Sequence, residues 1–338
     1  MTASKGKTVL ELIEKLGGEL LHGDPKTVLT SVSDTRGAKA YDLVFAEDAA
    51  SAEGAIRSQA GAVVLPSELK GISFGSGIAV GASQPRLWFA RAAKMLAKPL
   101  PVTGVHEAAE VAQDAVLGED VSVGPCAVIG HLVQIGARSR VDAGAVLGDG
   151  VQVGEDCHIY PRAVLYSGTS LGDRVVIHAG AVLGADGFGY VRDRTSGSYT
   201  QFPQQGSLIL EDDVEIGANT TIDRGALTET RIRRGVKLDN LIHIGHNCDI
   251  GENVVMASLT GISGSSTVGK GAILAGQVGV GDHAHIGEGV ILGGQAGVLS
   301  GKTVNTKGTV LWGTPAKPIR EYLRELATLS RLSRRKKE

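Results

Sequence analysis

The 338 residues carry 34 Lys and Arg against 36 Asp and Glu, a formal charge of −2 and a pI near 6.5, so no global basic field recruits nucleic acid. Hydrophobic residues make up 42%, enough for a core. With 48 glycines and only 4% aromatics, the composition points to many tight turns around a narrow interior, the profile of a repeat architecture.

The opening "MTASKGKTVLELIEKLGGELL" lacks a signal-peptide apolar region, and no run of 18 apolar residues follows anywhere. We therefore expect a cytoplasmic protein with no stable membrane insertion. Residues 1–102 are predicted as a separate α/β domain. It begins with a helix in "TVLELIEKLGGEL", continues through strand-like "AGAVVLP" and "GIAV", and ends with a helix in "QPRLWFARAAKMLAKPLP" that stops at Pro99.

From Val111 an aliphatic residue recurs every six positions through Val123, Ile135, Leu147, Ile159 and Leu171 to Leu183, without a missed step. The phase returns at Leu210, Ile216 and Ile222, slips by four, and runs again from Ile232 to Val304. Glycine usually follows the aliphatic residue, and a small residue usually stands four after it. Because a strand alternates its faces, each hexapeptide describes one side of a prism, and three of them close a coil of 18 residues. This is the hexapeptide β-helix signature, and at roughly 4.8 Å per coil some ten coils span on the order of 45–50 Å. The period does not fix the hand of the coil. We assign the β-helix to residues 103–313.

Residues 184–209 interrupt the coil with a glycine-rich, aromatic-rich insert that must project from a corner as a loop, and loops of this kind often carry function. Phe188 and Tyr190 within it are candidate substrate contacts. Cys157 and Cys248 take the small inward position and read as core, while an odd number of cysteines without CxxC spacing argues against a disulfide framework or zinc cluster. Residues 314–338 are predicted to close the chain with a helix. Residues 317–338 hold eight Lys and Arg against three Glu, a local +5 within a chain of −2.

The stretch "DNLIHIGHNCDIG" raises a sharper question, since His243 and His246 stand three apart. His246 comes two after its aliphatic residue and so projects at a corner. His283 follows 37 residues later, two coils and one step on, roughly 10 Å along the axis. The two histidines can line one groove, but that spacing is too wide for both to bind one metal directly.

Six motifs occur in order across residues 186–323: "DGFGY", "FPQQG", "VEIGANTTIDRGAL", "VKLDNLIHIGHN", "AGQVG" and "GTPAKPIREYL". In these the chain resembles the UDP-3-O-(3-hydroxyacyl)glucosamine N-acyltransferases of lipid A synthesis. The resemblance covers roughly residues 103–325 well and the first hundred residues more loosely. It implies a mainly β fold: a left-handed parallel β-helix with an N-terminal α/β domain that binds the uridine nucleotide, and a C-terminal helix. It also implies a homotrimer with active sites between subunits. The expected reaction moves an (R)-3-hydroxyacyl chain from acyl carrier protein to a glucosamine 2-amine. No cofactor or metal is expected beyond the 4′-phosphopantetheine that arrives on the carrier.

Amine attack on a thioester needs a base near neutral pKa, for which histidine is the natural candidate. His246 matches the family's catalytic histidine, His283 a second histidine of the cleft, and Asp239 an acidic residue placed to hold the imidazole. His243 is read as a neighbour. Gly264 lies 18 residues on from His246, where a backbone N–H can face the thioester oxyanion. Phe45 in "DLVFAED" fits the first of two aromatics that stack on uracil, and Ser51 stands where the second is expected. "SDTRGAKAYDLVFA" resembles the uridine-binding domains of peptidoglycan Mur ligases. "VGVGDHAHIG" departs from the family's wording around His283. The alternatives are another hexapeptide acyltransferase using acetyl-CoA on a nucleotide sugar, a γ-type carbonic anhydrase, whose spaced histidine set is missing, and a purely structural β-helix.

Overall fold

A computed structural model describes residues 6–70, 77–98 and 100–335 of the chain. The chain divides into two compact units, residues 1–101 and 102–338.

The first unit is a five-stranded sheet in the spatial order Glu19–His22, Ile78–Ala82, Ala62–Pro66, Asp42–Phe45, Ser31–Val32. Only the first of these runs antiparallel to its neighbour. The sheet packs with helices α1 (Val9–Leu16) and α3 (Pro85–Leu96) around a core that includes Leu12, Leu43, Val64, Val80 and Trp88, and with α2 (Ala49–Ile56) around a second that includes Val44, Ala52, Ala55, Val63 and Leu65. The predicted first helix extends through "GGEL", but α1 stops at Leu16. Gly17 and Gly18 turn the chain with φ of 77° and 99°, and Glu19 begins a strand. Helix α3 likewise ends at Leu96, and Pro99 lies outside the described residues.

In the second unit each six-residue step becomes a two-residue strand and a turn. The strands form three parallel ladders of 11, 10 and 10, with a short antiparallel strand ending the longest. Pairing at a distance of 18 residues, as in Val128 with Val146, gives one coil per three hexapeptides. Every aliphatic residue of the phase from Val123 to Val304 is buried. The glycine after it lets coils stack: a Cβ on Gly136 would meet the Gly154 carbonyl carbon at 2.5 Å.

Two departures from the 18-residue step shape the site. Ser170 pairs with Ile209, 39 positions on, so the insert leaves a corner without breaking the ladders. It carries an antiparallel hairpin, Tyr190–Arg192 with Tyr199–Gln201. Thr221 then pairs with His243, 22 positions on, and this locates the slip of four in residues 224–228. Helix α4 (Ile319–Arg335) closes the unit and exposes Leu323, Leu326, Leu329 and Leu332.

Candidate active site

His246 sits half-buried at the corner after the strand His243–Ile244. Its imidazole lies between two glycines. A Cβ on Gly187, in the insert, would stand 2.7 Å from His246 Cβ and Cδ2. A Cβ on Gly264, one coil on, would stand 2.8 Å from Cε1 and Nε2. No side chain larger than hydrogen fits at either position without moving the ring. This explains the first glycine of "GFG", which as a bare motif is weak.

The ring borders a cleft of about 820 Å³ whose lining includes Phe188, Asp223, His243, Gly264, Asp282 and His283. His246, Gly264 and His283 are thus brought together by coil stacking alone. His283 adopts φ 54°, and its Nδ1 lies 2.7 Å from Asp282 Oδ2. Phe188 is 88% exposed at the cleft, and Tyr190 packs against it edge-on at 5.2 Å rather than lining the cleft itself. Among the described residues no cluster of three or more His, Cys, Asp or Glu is arranged to hold a metal ion.

Asp239 does not reach His246 within one chain. Its Oδ1 accepts the Asn240 N–H at 2.8 Å and its Oδ2 the Ser258 N–H at 3.1 Å. It borders a different depression, of about 590 Å³, with His178, Glu215 and Lys237. The reason is geometric: seven residues are one hexapeptide step plus one, which carries the chain to another face of the prism. A buried carboxylate that does face the cleft is Asp223, from "TIDRGA", which sequence reasoning passed over. Asp223 is 7% exposed, and its Oδ2 lies 3.7 Å from His243 Nε2. Burial holds its carboxyl above the ordinary value, against the opposing pull of His243 and His246. His243 in turn lies with Nδ1 2.8 Å from Thr221 Oγ1.

The excursion at residues 224–228 braces the insert. Arg224 donates from Nε to the Gly184 carbonyl and from Nη2 to the Ser167 carbonyl, both at 2.8 Å. The Gln205 N–H donates to the Ala226 carbonyl at 2.7 Å. Gln204, 9% exposed, accepts the Gly187 N–H at 3.2 Å, which seats the glycine that covers His246.

In the first unit Phe45 packs against Phe89 of α3, ring centres 4.8 Å apart, and borders a depression of about 560 Å³ with Asp34, Asp48 and Ser51. Ser51 is committed to the capping box of α2: its N–H donates to Asp48 Oδ1 and its Oγ accepts the Asp48 N–H.

Comparison with known proteins gives the chain a family. The family of the bacterial transferase hexapeptide (six repeats) matches residues 150–185. The chain is 41% identical over 263 residues to the UDP-3-O-acylglucosamine N-acyltransferase of Methylobacillus flagellatus, across 78% of this chain and 74% of that protein. With the enzyme of the same name from Leptothrix cholodnii it shares 46% over 252 residues, 70% and 69% of the two chains. Among solved structures, a UDP-N-acetylglucosamine acyltransferase from Bacteroides fragilis overlays with a TM-score of 0.48 at 21% identity, covering 63% of this chain and 72% of that one. On the strength of the two curated relatives, the chain is an acyltransferase built on a hexapeptide-repeat β-helix, and it belongs to the UDP-3-O-acylglucosamine N-acyltransferase family.

Proposed function

We propose that the chain transfers an (R)-3-hydroxyacyl group from acyl carrier protein to the 2-amine of UDP-3-O-acylglucosamine, with His246 as general base. One observation carries this reading: the Nε2 edge of His246 lies against Gly264 at the border of a cleft that His283 also lines. The amine attacks the thioester carbon, and Nε2 takes the ammonium proton as the tetrahedral intermediate forms. The Gly264 N–H, which donates to no protein acceptor among the described residues, faces the oxyanion, and His283 assists. Collapse breaks the carbon–sulfur bond. The phosphopantetheine thiolate leaves and receives the proton that the imidazolium gives up.

The working form is a homotrimer. In that assembly the face that bears Asp239 borders a neighbour's cleft, which gives the residue a role across the subunit boundary that it does not have within one chain. Phe188 and Tyr190 flank the acyl donor or sugar, and the depression at Phe45 holds the uracil. The basic end of the chain recruits the acidic carrier. The test is a donor screen on UDP-3-O-acylglucosamine: turnover with (R)-3-hydroxyacyl carrier protein and little with acetyl-CoA is the expected result. Preference for acetyl-CoA overturns the donor assignment. Light scattering is expected to give three chains of 34.9 kDa.

A further inference from the structure

The excursion at residues 224–228 interrupts a phase that the coil otherwise keeps, and its polar groups converge on Asn247. This residue sits at the corner with φ 59°, a left-handed conformation that Asn tolerates better than most residues. Its N–H donates to Thr230 Oγ1 at 2.9 Å, and its Nδ2 donates to Thr228 Oγ1 at 2.8 Å. Its Oδ1 accepts the Ala226 N–H at 3.1 Å. That last bond fixes which way the amide points, because a backbone N–H only donates and the atom facing it must be oxygen. The same oxygen lies 2.9 Å from His246 Nδ1. An amide oxygen only accepts, so Nδ1 carries the hydrogen and Nε2, against Gly264, carries the lone pair.

We propose that Asn247 is the positioning residue that sets the His246 tautomer, and that the 224–228 excursion serves to hold Asn247. The proposal rests on His246 being the base. A neutral amide accepts from Nδ1–H in the neutral and the charged ring alike, whereas a carboxylate in its place would favour the charged form far more strongly. The other charged or titratable groups facing the ring are Asp223 and His243, with Asp186 beside Asp223 at the root of the insert, and Asp282 and His283 across the cleft.

The test compares pH profiles of kcat/KM for Asn247→Ala, Asn247→Asp, Thr228→Val and His246→Ala, using (R)-3-hydroxyacyl carrier protein and UDP-3-O-acylglucosamine. Asn247→Ala and Thr228→Val are expected to lower kcat roughly tenfold, the rate equivalent of one lost hydrogen bond, with KM unchanged. Asn247→Asp is expected to move the acid limb of the profile to higher pH, a change that loss of a merely structural contact would not produce. Thr228→Val changes the amide's support without touching the corner, so it keeps the test alive if an Asn247 variant misfolds. An inactive His246→Ala beside Asn247 variants with wild-type kcat and an unmoved acid limb overturns the tautomer proposal and leaves the base intact. An active His246→Ala removes the base and this proposal with it.

Discussion

Gly264→Ala is a perturbation of one methyl group whose effect follows from the packing of His246. The new Cβ would stand 2.8 Å from Nε2 and Cε1 and 3.2 Å from Cδ2, where ordinary van der Waals contact begins at 3.4 Å. The ring must therefore retreat by several tenths of an ångström to about 1 Å. Gly187 also packs against His246, and Nδ1 is tied to Asn247 at 2.9 Å, so any shift of the ring disturbs the geometry at Nε2. A catalytic group displaced on the order of 1 Å costs about 10²-fold in rate. The backbone at Gly264 does not need glycine, since it lies outside the positive-φ residues, so the fold itself should tolerate alanine within about 1 kcal/mol. We expect kcat for acyl transfer to fall about 10²-fold while the thermal transition stays within a few degrees of wild type. A folded Gly264→Ala enzyme with wild-type kcat would refute the placement of His246 in the reaction.

Three further outcomes are expected. Phe45→Ala should raise KM for the UDP-sugar and leave kcat largely unchanged, the pattern of lost uniform binding; an unchanged KM would put the nucleotide elsewhere. Replacing Arg331, Arg334, Arg335, Lys336 and Lys337 with Gln, the last two outside the described residues, should raise KM for the carrier protein, flatten its salt dependence and leave KM for the UDP-sugar alone. An unaltered carrier KM at low salt would shift attention to Arg192 and Arg194 on the insert. Burial pushes the Cys157 thiol up to about 11 and the Cys248 thiol up to about 12 from the ordinary 9.0, so a maleimide near neutral pH should label only exposed Cys126. Because both folded values are raised, their contribution to stability is complete below about pH 9 and is lost as pH rises through 11 to 12. Rapid native labelling at Cys248 would contradict the packing.

The coil was legible because an aliphatic residue and a small one in each six make the core, so Val123 through Val304 announce the fold without any tertiary information. The same counting placed Gly264 and His283 beside His246, since stacking is fixed by multiples of 18. It could not show that Asp239 lies on a different face from His246 within one chain, where the sequence distance is short but the prism has turned. Asp223 was missed because the slip of four makes its coil 22 residues long. Stepping back 22 from His246 would have landed on Arg224, beside it. Asn247 carried no sequence signal beyond its place next to His246, because its role depends on the Ala226 N–H and Thr228 hydroxyl that the excursion delivers. The capping role of Ser51 was readable from Asp48 three residues before it, the spacing of a capping box at a helix start.

The central claim is that His246 accepts the ammonium proton during acyl transfer. Its most direct test is single-turnover acylation of UDP-3-O-acylglucosamine by His246→Ala, with (R)-3-hydroxyacyl carrier protein as donor and the native thermal transition as a control for folding. The account predicts a rate lower by roughly 10²–10⁴ in a protein that still melts like wild type. Near wild-type turnover in that folded variant would contradict it.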